Sequence, residues 1–103
     1  MITVHLTYII DPSTMDQFEE YARRWISLIN RFGGDHHGYF MPSEGASDVA
    51  YALYSFPSLA AYEQYRTESF TDPDCLEANA IAERAECIHS WTRTFMRPVT
   101  DGI

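Results

Sequence analysis

An α+β fold on a four-stranded antiparallel sheet is predicted by three observations on the 103-residue sequence. Apolar residues alternate with a two-residue period at both ends of the chain and again in the middle. Between these stretches the apolar spacing lengthens to the three and four residues of helices. No linker, repeat or low-complexity stretch interrupts the run, so residues 1–103 are read as one domain.

Ile2, Val4, Leu6, Tyr8 and Ile10 alternate with Thr3, His5, Thr7 and Ile9, which gives a first strand with one strongly apolar face. Asp11-Pro12-Ser13 stops it and opens a helix, Ser13 and Asp16 resembling an acidic capping box. Phe18, Tyr21, Ala22, Trp25, Leu28, Ile29 and Phe32 form the helical stripe, and Gly33-Gly34 ends it. Asp35 to Met41 reads as a second strand, Pro42 to Asp48 as a hairpin loop, and Val49 to Phe56 as a third strand. Pro57-Ser58 caps a second helix carrying Leu59, Tyr62 and Tyr65. Asp72-Pro73 starts another helical segment whose periodicity turns Leu76, Ala80 and Cys87 inward. Ile88 to Met96 alternates as a last strand, and Pro98 to Ile103 is a tail. Two right-handed crossovers around a hairpin make this order, βαββαβ, the ferredoxin-like arrangement, with the first and third strands central and the helices on one face.

Charge narrows the function classes. Fifteen acidic against seven basic residues leave a net charge of −8, and all seven bases are arginines. Such a surface suits neither nucleic-acid phosphates nor anionic membranes. The absence of lysine excludes a Schiff-base nucleophile, a pyridoxal phosphate anchor and a phosphate-loop lysine. No apolar run reaches the roughly 20 residues of a membrane span, and no basic segment leads into an apolar one at the N-terminus, so a cytoplasmic setting is expected. Cys75 and Cys87 are too far apart on one helix to pair, and are read as buried small hydrophobes.

The third strand carries Val49, Tyr51 and Leu53 on one face and Ala50, Ala52, Tyr54 and Phe56 on the other, with no polar face. Helices cover one side of the sheet only, and each large apolar side chain left wet forfeits about 1.5–3 kcal/mol. A second copy covering the bare side is the expected remedy, giving a homodimer. The alternative is a monomer whose C-terminal tail, with Val99 and Ile103, folds over the sheet.

The stretch His37-Gly38-Tyr39-Phe40-Met41-Pro42-Ser43-Glu44-Gly45, the run from Val49 to Tyr62, and the following Tyr65-Arg66 and Asp72-Pro73 resemble a bacterial NIPSNAP-family protein over nearly the whole chain. The resemblance implies a dimeric α/β barrel in which two ferredoxin-like sheets face each other with the helices outside. It supplies no catalytic assignment. Animal members are associated with mitochondria, and the lack of a transit peptide leads us not to transfer that setting.

Candidate site residues come from the strands. His89, Trp91, Arg93, Phe95 and Arg97 share one face of the last strand, and an arginine between two aromatics calls for an anionic or π partner. One reading is a pocket where Arg93 orients an enolate, carboxylate or quinone oxygen and Trp91 stacks on a ring. His5 or His37 would then serve as general base, with Tyr39 and Tyr51 supplying hydroxyl hydrogen bonds. The other pairs Arg93 with a structural acid at the dimer seam. A His5–His89–His37 metal cluster is conceivable, but no carboxylate or cysteine spacing reinforces it, and adjacent His36 and His37 should face opposite ways. Neither a metal nor a cofactor is expected; a haem would have only His36 or His37 as axial ligand. Two functions stay open. One is a cofactor-independent oxygenase or isomerase, or a simple binder, for a small aromatic or polyketide-like molecule. The other is a non-catalytic dimeric binding or scaffold protein.

Overall fold

Strand β1 (Ile2–Ile10) buries Val4, Leu6, Tyr8 and Ile10 and leaves Thr3, His5, Thr7 and Ile9 half-buried on its other side, so the alternation in the sequence becomes two faces. The structure is a computed structural model and describes residues 1–100; the end of the tail, including Ile103, lies outside the described residues. The chain then runs through a 3₁₀ turn (Pro12–Thr14), α1 (Met15–Arg31), β2 (Asp35–Phe40), β3 (Val49–Phe56), α2 (Leu59–Ser69), α3 (Pro73–Ala85) and β4 (Ile88–Met96). The sheet order β2-β3-β1-β4 is antiparallel throughout, with β1 and β3 central. This is the ferredoxin-like arrangement that the sequence predicts.

The helix starts differ from expectation in one place. Asp11 caps the 3₁₀ turn that leads into α1, its carboxylate accepting from the backbone N–H of Ser13 at 3.0 Å and its hydroxyl at 2.8 Å; α1 itself starts after Thr14 with no side-chain cap, so no Ser13–Asp16 box forms. Pro12 has no N–H to satisfy, which suits the first turn. Ser58 caps α2 through the Ala61 N–H, and Asp72 caps α3 through the N–H groups of Asp74 and Cys75. Asp72 and Asp74 also pair with Arg31 at 2.6 and 3.0 Å, tying the end of α1 to the start of α3.

One core lies between the sheet and the helices: Val4, Leu6, Phe18, Ile29 and Phe56 are among its members. Tyr62 and Tyr65 turn inward on α2 as expected, but Leu59 is exposed. On α3 the inward residues are Cys75, Ala78, Ile81 and Ala82, and Leu76 points outward. α3 packs on α1 through this face, on which Cys75, Ala78 and Ala82 are small and let the backbones approach, while Ala80 is half-buried beside it. Cys75 and Cys87 are both free and buried. Cys87 lies beyond the end of α3 and is tucked in by its N–H bond to the Ala82 carbonyl.

The molecule is 19 Å thick along its shortest axis, one helix layer on one sheet layer, so the second face of the sheet is bare. That face is mixed. β3 presents Val49, Tyr51 and Leu53, with exposed Phe40 beside Tyr51, but β1 and β4 present Thr3, Thr7, Thr92 and Thr94. The apolar character read from β3 does not extend across the whole sheet.

Candidate functional site

Two separate groups of side chains stand out, one on each side of the sheet. On the bare side, a β-bulge in β2 between His36 and Gly38 sets the geometry. His36 pairs with Tyr54 and lies on the helix side, stacked 5.1 Å from Tyr39. His37 is the extra residue, and its Nε2 lies 2.8 Å from the Ser55 hydroxyl, which is 2.8 Å from the Thr3 hydroxyl. The two histidines therefore face opposite ways, as expected. Asp35 Oδ2 lies 3.9 Å from His37 Nδ1, so Asp35, His37, Ser55 and Thr3 form a line of polar groups along the strands. Ser55 is buried, and its hydroxyl is held between His37 and Thr3. The His5 ring lies tilted against that of Tyr51, 5.4 Å between centroids, on the same bare face.

The helix side holds the other group. An open cleft of about 950 Å³ lies between β1–β4 and the helices, with Tyr8, Trp25, Tyr54 and Tyr65 among its lining and Arg66, Phe70, Leu76, Trp91 and Arg93 toward its mouth. β4 positions Trp91 and Arg93 because they lie opposite Tyr8 and Leu6 of β1, whose side chains face the helices. The Arg93 guanidinium sits 4.7 Å over the Trp91 ring. Its Nε is buried without a hydrogen-bond partner, as is Nε1 of Trp25, which is 7% exposed. Among the described residues no carboxylate lies within ion-pair distance of Arg93. Burial holds Tyr8, Tyr21, Tyr39 and Tyr54 well above the ordinary phenol range, with neighbouring tyrosines adding to it, and raises Tyr65 to about 12. These hydroxyls are neutral hydrogen-bonding groups at physiological pH and not bases.

The sheet thus divides the residues that the sequence assembled into one pocket. Arg93 and Trp91 line the cleft. Tyr39 is on the same side but behind it, stacked on Tyr8 at 6.1 Å. His5, His37 and Tyr51 lie across the sheet, so within one subunit no single ligand touches both groups. His89 lines the helix-side cleft, away from His5 and His37, so the three histidines do not converge. Among the described residues no group of three metal-ligating side chains comes together. The sequence reading passed over Trp25, Tyr54 and Arg66 as cleft residues; for Arg66 the available signal was the aromatic Phe70 four residues on, over whose ring it sits at 5.1 Å.

The fold has counterparts among solved structures. The family model described as NIPSNAP matches residues 5–101 of the chain. The chain belongs to the NIPSNAP family. Solved NIPSNAP structures superpose closely: a family protein of unknown function from Agrobacterium tumefaciens matches at a TM-score of 0.82 with 18% identity, covering 99% of this chain and 91% of that one. An uncharacterised NIPSNAP-like domain protein from Burkholderia xenovorans matches at 0.80 with 16% identity, covering 99% and 88%. A protein from Nitrosomonas europaea provisionally named an antibiotic biosynthesis monooxygenase matches at 0.74 with 9% identity, covering 97% and 100%. At these identities the likeness is one of fold. No curated protein gives a significant match. No helix of the described residues is long and apolar enough to cross a membrane.

One pH effect follows from the bulge of this NIPSNAP chain. The Gly38 N–H donates to His36 Nδ1 at 2.9 Å, which fixes the proton on Nε2, and burial, helped by neighbouring His37, lowers the His36 pKa from 6.5 to about 4. The unfolded chain takes up this proton below about 6.5 while the folded chain refuses it until about 4. Stability is therefore complete above about pH 6.5 and declines as the pH falls toward 4. Partial exposure of the ring reduces the effect to about 1–2 kcal/mol. Urea midpoints at pH 7 and pH 5 should differ by less in His36→Gln than in wild type; an identical difference would remove His36 as the source.

Proposed function

We propose that this NIPSNAP protein is a homodimer that binds a small aromatic or polyketide-like molecule with an anionic oxygen, held in the cleft between the sheet and the helices. The observation that carries the reading is Arg93, a half-buried cation with an orphaned Nε and no carboxylate, beside the half-exposed ring of Trp91. A buried guanidinium N–H without an acceptor is costly, and an anionic ligand supplies the acceptor and counter-charge that the chain does not. The ligand's ring packs on Trp91, and the neutral phenols of the floor offer hydroxyl hydrogen bonds to its oxygens. With His5 and His37 across the sheet from the cleft, the reading is of binding rather than of proton transfer or oxygenation.

The chain's two tryptophans, Trp25 and Trp91, both line the cleft, so intrinsic fluorescence reports occupancy directly. Titration with benzoate and with hydroxylated aromatic acids should quench it saturably, and Arg93→Ala should weaken binding by about tenfold or more, the 1.4 kcal/mol or so of a lost charge-assisted contact. Equal affinities in wild type and Arg93→Ala would remove Arg93 as the anchor. No saturable quenching by any of these acids would favour a scaffold role with no ligand.

A further inference from the structure

The seven arginines are distributed in a way that stability alone does not explain. Four exposed ones are each paired with a carboxylate: Arg23 with Glu19, Arg24 with Glu20, Arg31 with Asp72 and Asp74, and Arg84 with Glu77. Such exposed pairs contribute little, about 0–1 kcal/mol each. Arg97 is exposed and solvated. The two half-buried ones, Arg66 and Arg93, are those for which a counter-charge matters most, and among the described residues neither has a carboxylate within ion-pair distance. Both line the same cleft, one from α2 and one from β4. Each instead covers an aromatic ring at its mouth, Arg66 that of Phe70 at 5.1 Å and Arg93 that of Trp91 at 4.7 Å. A ring face supports a cation without cancelling its charge.

Both guanidinium groups also act on one point. The Tyr54 hydroxyl, on the floor of the cleft, feels each of them as a charge favouring its ionised form, although burial outweighs both. Glu83 and Glu86 also line the cleft, are exposed, and form no ion pair with either arginine. The cleft thus has among its lining two arginines without an ion pair, the Tyr54 hydroxyl and aromatic side chains.

We infer that the cleft is built for a doubly anionic end of an aromatic ligand, an aromatic 1,2-dicarboxylate or a group of the same charge, with Arg66 and Arg93 each taking one negative charge. This rests on the binding reading above and narrows it from an anionic oxygen to two charges at one end of the molecule. Arg66 becomes the binding residue for the second charge beside Arg93, and Phe70 lines the same cleft.

The test compares phthalate, two adjacent carboxylates on a ring, with benzoate, which has one, by tryptophan fluorescence at neutral pH. Wild type should bind phthalate at least about tenfold more tightly than benzoate, and the preference should shrink as salt screens the second charge. Arg66→Gln should bring phthalate down to near the benzoate affinity, leave benzoate within about twofold, and melt close to wild type because the arginine makes no ion pair. Equal affinities for the two acids, or a preference that survives Arg66→Gln, overturn the two-charge site while leaving the Arg93 anchor standing. Saturable binding of neither acid overturns both.

Discussion

Replacing Phe56 with alanine is expected to destabilise the fold by about 3–5 kcal/mol, the usual cost of emptying a core aromatic site. Phe56 is 1% exposed and is among the largest fully buried side chains. Its ring stacks on Tyr65 at 5.3 Å and meets Tyr62 edge-on at 6.0 Å. It also closes on the backbone: a Cβ added at Gly34 would lie 2.9 Å from Phe56 Cζ and 2.8 Å from Ile29 Cγ2. That close approach explains the second glycine after α1. Gly33 supplies the left-handed turn at φ +91°, and Gly34 lets the chain pass under the Phe56 ring on its way into β2. Gly34→Ala alone should cost about 1–3 kcal/mol through overpacking. In the Phe56→Ala background the added methyl meets only Ile29, so the double variant should be less destabilised than the sum by about 1 kcal/mol or more. Urea unfolding of the four proteins measures this directly. Additivity within about 0.5 kcal/mol would show that Gly34 is not held by Phe56.

The strands were legible because period-two alternation survives almost intact. Ile2–Ile10, Val49–Phe56 and Ile88–Met96 start and stop where the sequence pattern does. The α1 stripe was equally plain, since Phe18, Trp25 and Leu28 are large and regularly spaced. On α2 the large Tyr62 and Tyr65 are inside as the pattern predicts, but on α3 the pattern that turns Leu76 inward fails: Leu76 is exposed, and Cys75, Ala78, Ile81 and Ala82 take the inner positions. The site was half legible. Alternation placed Trp91 and Arg93 together on one face, but which face of β4 turns toward which face of β1 depends on register, and register depends on the bulges at Ile9/Ile10 and His36/Gly38. A bulge has no composition signal in this chain beyond Gly38, whose φ of +115° only glycine adopts easily. His5 and His37 were thus assigned to the Arg93 pocket from across the sheet.

Leu53→Asp should convert the protein from a dimer to a folded monomer, and it is the sharpest test of how the bare face is covered. Phe40 and Tyr51 are 51% and 43% exposed on that face, and Ile9, Val49 and Leu53 fill the space beside them, an apolar band along β2, β3 and the end of β1. A two-fold interface brings each such residue twice into one contact, and a stable one covers about 800 Å² per partner, which one face of a small four-stranded sheet provides. The threonine rows of β1 and β4 border the band with hydroxyls, so the expected contact is apolar along one side and hydrogen-bonded or wet along the other. Leu53 is only half-buried in one subunit, so aspartate there costs the monomer little. Two carboxylates brought together without partners cost the dimer several kcal/mol. Light scattering should return twice 11.9 kDa for wild type and 11.9 kDa for Leu53→Asp, with unchanged far-ultraviolet circular dichroism. A wild type that is monomeric at micromolar concentration, or a variant that stays dimeric, would refute the arrangement. Because the aromatic-acid cleft opens on the opposite side of the sheet, the monomeric variant should bind phthalate with wild-type affinity. A loss of binding on dissociation would mean that the partner reaches round the β4 edge to complete the cleft, and that the two faces of this sheet are not independent.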